Sequence, residues 1–165
     1  MKPVEPGDEP VGGATALADP EVDSLAAARP LHLRARYLYV VFVGGVLGTT
    51  ARWCLAEWMP AVDGWPLGTL VANLVGAFCL GLLLEVLLRT APDQGWPRLA
   101  RLHLGTGFLG SFTTMSALVT ETTLLAQGHH PGQAAGYLVG SLLGGVVLAW
   151  LGVVLGARLA GEAAR

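Results

Sequence analysis

The residues of this chain that could do chemistry are hydroxyls, amides and glycines rather than acid–base pairs. The densest group is Gly107 to Leu118, GFLGSFTTMSAL, where two glycines are interleaved with Ser111, Thr113, Thr114 and Ser116. It lies inside an apolar segment, Leu102 to Leu125, long enough to cross a bilayer. Backbone groups in hydrocarbon must be satisfied internally, so a helix interrupted at that depth needs shelter from protein or an ion to coordinate. In transporters and channels such broken helices bind ions, because freed carbonyls and half-helix ends converge on one spot. An ion site is what this stretch predicts.

Other polar residues fall inside apolar segments, where each costs free energy unless it is buried or hydrated. Arg52 is the only Lys or Arg within such a segment. It snorkels to the outer interface, anchors packing, or attracts anions at a vestibule. Thr69 and Asn73 are four apart and share a helix face. The Asn73 amide suits either an anion or a helix–helix hydrogen bond. Tyr137 and Ser141 share a face in the same way, continued by Gly145. Such a ladder of hydroxyls can replace water around a small anion, although hydroxyls also bond back to helix carbonyls. Glu57 and Glu85 lie near segment ends, so no central carboxylate is expected for proton coupling, and His129 and His130 fall in a loop. No nucleophile–base pair, metal-ligand cluster or phosphate-binding loop is present, which argues against an enzyme.

The elements that position these residues follow from composition. Of 165 residues, 53% are hydrophobic and 13% charged, with 23 glycines and a mean hydropathy of +0.55. A soluble domain would carry about 25% charge, so the chain reads as an integral, all-α membrane protein. Four spanning helices are predicted, at about Tyr37 to Trp58, Pro66 to Leu88, Leu102 to Leu125 and Gln133 to Leu155, with the third broken. Their short connections predict antiparallel packing of neighbours. Trp53, Trp58, Trp65, Trp96 and Trp150 fall mostly near segment ends, as aromatic belts do. Small residues four apart, at Gly44/Gly48, Gly136/Gly140/Gly144 and Gly152/Gly156, allow close helix approach. Cys54 and Cys79 read as free apolar thiols.

Residues 1–36 are rich in Pro, Gly, Ala and acids, with no apolar periodicity, and read as a disordered tail rather than a secretory signal. The helical domain covers 37–158, and 159–165 reads as a second short tail. Arg29, Arg34 and Arg36 precede the first helix, Arg89, Arg98 and Arg101 lie between the second and third, and Arg158 and Arg165 follow the fourth. The other two connections contain no Lys or Arg. The positive-inside rule therefore puts both termini in the cytoplasm, with the chain in the plasma membrane. No basic stripe interleaved with aromatics points to nucleic acid.

Three stretches in order, GGVLGTTARW (Gly44 to Trp53), GTLVANLVGAFCLG (Gly68 to Gly81) and GFLGSFTTMSAL, resemble the signatures of the CrcB/Fluc fluoride channels. The resemblance covers about residues 37–158. It implies an antiparallel dimer of four-helix subunits that passively exports toxic fluoride through two pores at the dimer interface. It also implies a central sodium ion, structural and not transported, held by backbone carbonyls, here those of Gly110 and Thr113. Sodium is a hard cation suited to carbonyl oxygen, and its charge raises the local potential for an anion. By motif position, Thr69, Asn73, Tyr137 and Ser141 would line the pore.

Two departures from the family pattern stand out. Where the family has two phenylalanines three residues apart, whose positive ring edges face fluoride, this chain has Met115 and Leu118. The third hydroxyl of the polar track is replaced by Gly145. An antiparallel homodimer also requires one sequence to insert both ways, which conflicts with the strong charge bias. A related partner of opposite orientation, supplying the missing phenylalanines, is therefore expected in place of a second copy. A small four-helix secondary transporter and a non-conducting structural subunit are the competing readings.

Overall fold

The computed structural model describes residues 34–163, within which all regular structure is helical. The elements are α1 (Ala35–Trp58), α2 (Leu67–Thr90), α3 (Gly95–Ala100), a π-helical segment (Arg101–Leu109), α4 (Gly110–Phe112), α5 (Met115–Gln127) and α6 (Pro131–Ala163). Of the expected tail over residues 1–36, residues 1–33 lie outside the described residues, and Ala35 and Arg36 already belong to α1. Among the described residues three helices are long and apolar enough to cross a membrane: α1, α2 and Pro131–Glu162 of α6, with mean hydropathies of 1.4, 2.2 and 2.3. They make this a multi-pass membrane protein. Among the described residues the buried apolar side chains are correspondingly few and half of them are alanine: Ala72, Leu109, Leu118, Ala134, Tyr137 and Ala160. Large apolar residues such as Phe42, Trp53, Leu143 and Val146 face outward, as they do where lipid is the solvent.

The predicted third helix is two unequal pieces. Its first part starts earlier than expected and runs from α3 through the π-helical segment into α4, ending at Phe112. Thr113 and Thr114 are extended, with ψ of 154° and 120°, and α5 follows. The last helix is longer than expected, reaching Ala163 rather than Leu155, so most of the segment read as a second tail is helical. Trp150 therefore lies well inside α6 instead of near its end.

The expectation of antiparallel neighbours holds along the sequence but misses the closest packing, which is between alternate helices running the same way. A Cβ on Gly44 would come within 2.3 Å of the His103 carbonyl oxygen, and one on Gly48 within 2.1 Å of that of Phe108. Thus α1 and the π-helical segment rise side by side, and the His103 Nδ1 lies 2.9 Å from the Val40 carbonyl oxygen. The second pair is α2 with α6, where Gly152 would collide with the Phe78 carbonyl at 2.2 Å and Gly81 with that of Ala149 at 2.3 Å. Backbones at this distance leave no room for any side chain, which is why glycine occupies these seams. The stripe Gly136/Gly140/Gly144 behaves otherwise. Gly140 faces open space, and its two neighbours meet only the side chains of Trp65 and Leu74.

Candidate functional site

The break is fastened to α2 by one side chain. Asn73 donates from Nδ2 to the Thr114 carbonyl at 3.0 Å and accepts the Thr114 N–H on Oδ1 at 2.7 Å. An amide is the one uncharged side chain that offers a donor and an acceptor side by side to an extended peptide unit. Thr113 turns its methyl onto Gly76, where a Cβ would sit 2.2 Å away, and its hydroxyl back to the Leu109 carbonyl at 3.0 Å. Thr114 caps α5, its Oγ1 accepting the Ala117 N–H at 3.2 Å.

These bonds decide which carbonyls are free. A helix would satisfy the Gly110 carbonyl from Thr114 and the Thr113 carbonyl from Ala117. Both donors are engaged elsewhere, on Asn73 and on the Thr114 hydroxyl. The neighbouring Ser111 carbonyl is not free, because Arg52 donates to it from Nε at 3.2 Å. Arg52 thus sits at the carbonyl end of the first half-helix, where a cation is favoured by the helix dipole. Among the described residues no cluster of three His, Cys, Asp or Glu could hold a metal. Backbone oxygen suits a hard cation, and the Gly110 and Thr113 carbonyls, whose helical donors are engaged elsewhere, are fit to supply part of such a shell.

Beside the break is a cavity of about 360 Å³ lined by Asn73, Thr113, Thr114, Met115, Leu118 and Ser141, with Gly76 and Gly145 among its remaining walls. Leu118 is 2% exposed and fixes α5 in the bundle, whereas Met115 is 61% exposed and hangs at the open side. Phe112 is not among the residues lining this cavity. It stacks on Phe108 with ring centroids 5.9 Å apart, and the extended Thr113 and Thr114 separate it from α5. Ser141 Oγ is the unusual atom: the residue is 5% exposed, yet the hydroxyl has no hydrogen-bond partner.

One turn along α6 from Ser141, Tyr137 is 1% exposed and donates to Glu121 Oε2 at 2.5 Å. Thr69 donates to Glu121 Oε1 at 2.7 Å. Thr69, Glu121 and Arg52 line a second cavity of about 330 Å³ between α1, α2 and α5. Asn73, Ser141, Tyr137, Glu121, Thr69 and Arg52 therefore form one polar line, which runs from the break to the middle of α5 and returns to the break where Arg52 meets Ser111. Glu121 adds a carboxylate that the expectation did not include, midway along α5 and accepting from Thr69 and Tyr137. The sequence carried the signal, since Glu121 is an ionisable residue four positions inside the predicted third segment and such residues are costly there. It was missed because its partners, Thr69 and Tyr137, lie 52 and 16 residues away.

The sequence model of the family described as "CrcB-like protein, Camphor Resistance (CrcB)" matches residues 39–153. A protein of Moorella thermoacetica named "Fluoride-specific ion channel FluC 2" is 47% identical over 118 residues, covering 70% of this chain and 92% of that protein. "Fluoride-specific ion channel FluC 1" of Cutibacterium acnes is 46% identical, covering 68% and 79% of the two chains. "Fluoride-specific ion channel FluC" of Thermus thermophilus is 43% identical, covering 76% and 97%. The family match spans α1 to most of α6, with the break and the whole polar line inside it, and the relatives are ion channels rather than enzymes. This chain belongs to the CrcB-like family.

Proposed function

We propose that this chain is a subunit of a fluoride-selective channel that lets fluoride leave the cytoplasm passively. The observation that carries the reading is the unpartnered Ser141 hydroxyl, buried in the wall of the cavity beside the break. A hydroxyl in a helix ordinarily bonds back to a carbonyl of the preceding turn. One that does not, inside a largely apolar wall, is a donor held ready for an anion that has lost its water. Fluoride needs such donors because an apolar constriction alone would strip its hydration without compensation.

In this reading a sodium ion sits on the Gly110 and Thr113 carbonyls, and it is structural. Two carbonyls do not complete a hard cation's shell, so a second subunit, antiparallel to the first, supplies the rest. The carbonyls' freedom from the helix ladder supports this. The partner is a related chain of opposite orientation rather than a second copy. The one-sided arginines support that choice, as do Met115 and Leu118 standing where aromatic edges are expected. Both termini are cytoplasmic.

Glu121 favours one competing reading, a proton-coupled transporter, because a carboxylate on the polar line could carry the proton. The two make opposite predictions in liposomes. A channel gives fluoride efflux down its own gradient, insensitive to an imposed proton gradient and lost when sodium is absent during assembly. Accumulation of fluoride against its gradient, driven by protons, would replace the channel reading. No fluoride flux with any related partner would leave a structural subunit.

A further inference from the structure

We infer that the arginine-bearing end of the bundle holds an anionic phospholipid, with one acyl chain in an apolar groove and the phosphate against Arg98 and Arg101. The inference rests on membrane residence and not on fluoride conduction. The groove, of about 460 Å³, is lined by Cys79, Leu82, Leu83 and Val86 of α2, by Leu104, Phe108 and Leu109, and by Leu159 of α6. No polar surface faces it. It is open, and it lies on the flank of a chain whose surroundings are hydrocarbon, so an acyl chain is its natural filler.

The groove's end determines which lipid. Val86 precedes Arg89 by three residues on α2, Leu104 follows Arg101 by three, and Leu159 adjoins Arg158. Arg89, Arg101 and Arg158 thus each lie within three residues of a groove-lining side chain, on the α2 C-terminus, the start of the π-helical segment and the α6 C-terminus. Arg34 and Arg36 begin α1 at the same end. Against these six arginines stand Glu85, Asp93 and Glu162. Glu85 is paired with Arg89, while the single Asp93 carboxylate is shared by Arg98 at 3.5 Å and Arg101 at 3.3 Å. The Arg98 contact runs from Nε to Asp93 Oδ1, and Arg98 Nη2 also donates to the Asp93 carbonyl, whereas the Arg101 Nε–H is buried without an acceptor. Two guanidinium groups sharing one carboxylate leave a net positive charge, and their partly exposed forks suit the several acceptor oxygens of a phosphate. Trp96, exposed on α3, stands beside them as interfacial tryptophans do. Basic pockets between helices on the cytoplasmic side suit such head groups.

Native mass spectrometry of the full-length protein, released from nanodiscs of equal phosphatidylglycerol and phosphatidylcholine, tests this. Phosphatidylglycerol should be retained about tenfold over phosphatidylcholine. Arg98→Gln with Arg101→Gln should abolish that preference while leaving the helical content unchanged. Val86→Phe, which fills the groove without touching charge, should reduce retention of both lipids. Equal retention of the two lipids by the unaltered protein would overturn the inference, and so would a preference that survives the double arginine change. A Val86→Phe protein that loses its partner subunit but keeps its lipid would show instead that protein covers the groove.

Discussion

Asn73 and Thr114 exchange two hydrogen bonds, so one side chain of α2 replaces the helix ladder at the point where the third segment opens. The Asn73 amide therefore has only one N–H left for the cavity it lines. Asn73→Ala should remove fluoride flux and also destabilise the bundle, because two backbone groups of Thr114 lose their partners. Each unsatisfied group costs about 1–3 kcal/mol, enough to lower the thermal midpoint in detergent by several degrees. An Asn73→Ala protein as stable as the parent would show that this splice is not structural.

Gly152 and Gly140 separate packing within the chain from packing outside it. Gly152→Ala would force a methyl to 2.2 Å from the Phe78 carbonyl oxygen, and overpacking of this kind costs about 1–3 kcal/mol or more. Gly140→Ala meets nothing within 4 Å and should leave the fold of the chain untouched. Size-exclusion chromatography of both variants, with thermal unfolding, reads the difference. If Gly140→Ala weakens assembly while sparing the fold, that open stripe faces the second subunit. Equal loss of stability in the two variants would contradict the seam between α2 and α6.

The sequence displayed these elements unevenly, for physical reasons. Long apolar runs mark α1, α2 and α6 because hydrocarbon demands them, and the run GFLGSFTT marks the break because glycines and hydroxyls are poor helix interiors. The ends of helices were less legible: α6 extends past Leu155 through Gly156, Ala157 and Arg158, residues that hydropathy alone does not retain. The seam of α1 with the π-helical segment depends on Gly44 and Gly48 meeting residues some sixty positions later, which no local pattern reports. Glu121 escaped for the same reason. A lone carboxylate near a segment end reads as solvated until Thr69 and Tyr137 are seen to donate to it.

Ser141 and Tyr137 share a face of α6 but should respond differently to loss of their hydroxyls. Ser141→Ala removes a donor with no protein partner, so the fold should be unchanged while flux falls about tenfold or more, one hydrogen bond to an anion being worth about 1.5–3 kcal/mol. Tyr137→Phe removes the donor to Glu121 Oε2 and should cost stability as well as flux. Fluoride efflux measured beside thermal unfolding separates the two. A Ser141→Ala protein that conducts at the parent rate would remove this hydroxyl from the pathway.

Met115 and Leu118 occupy one cavity wall but differ in room to change. Leu118 is 2% exposed, so Leu118→Phe adds volume to a filled site and should destabilise by about 1–3 kcal/mol. Met115 is 61% exposed and projects at the open side, where a ring would be accommodated. If aromatic edges are what this chain lacks, Met115→Phe should raise fluoride flux in liposomes holding this chain alone, with stability unchanged. It should add little where a partner already supplies the rings. The comparison isolates the edge chemistry, because methionine and phenylalanine are both large and apolar and differ chiefly in the positive rim that a ring presents to an anion. Flux unaltered by Met115→Phe in both preparations would mean that the aromatic edge is not the limiting contact, and that the need for a partner lies in orientation or in the cation site.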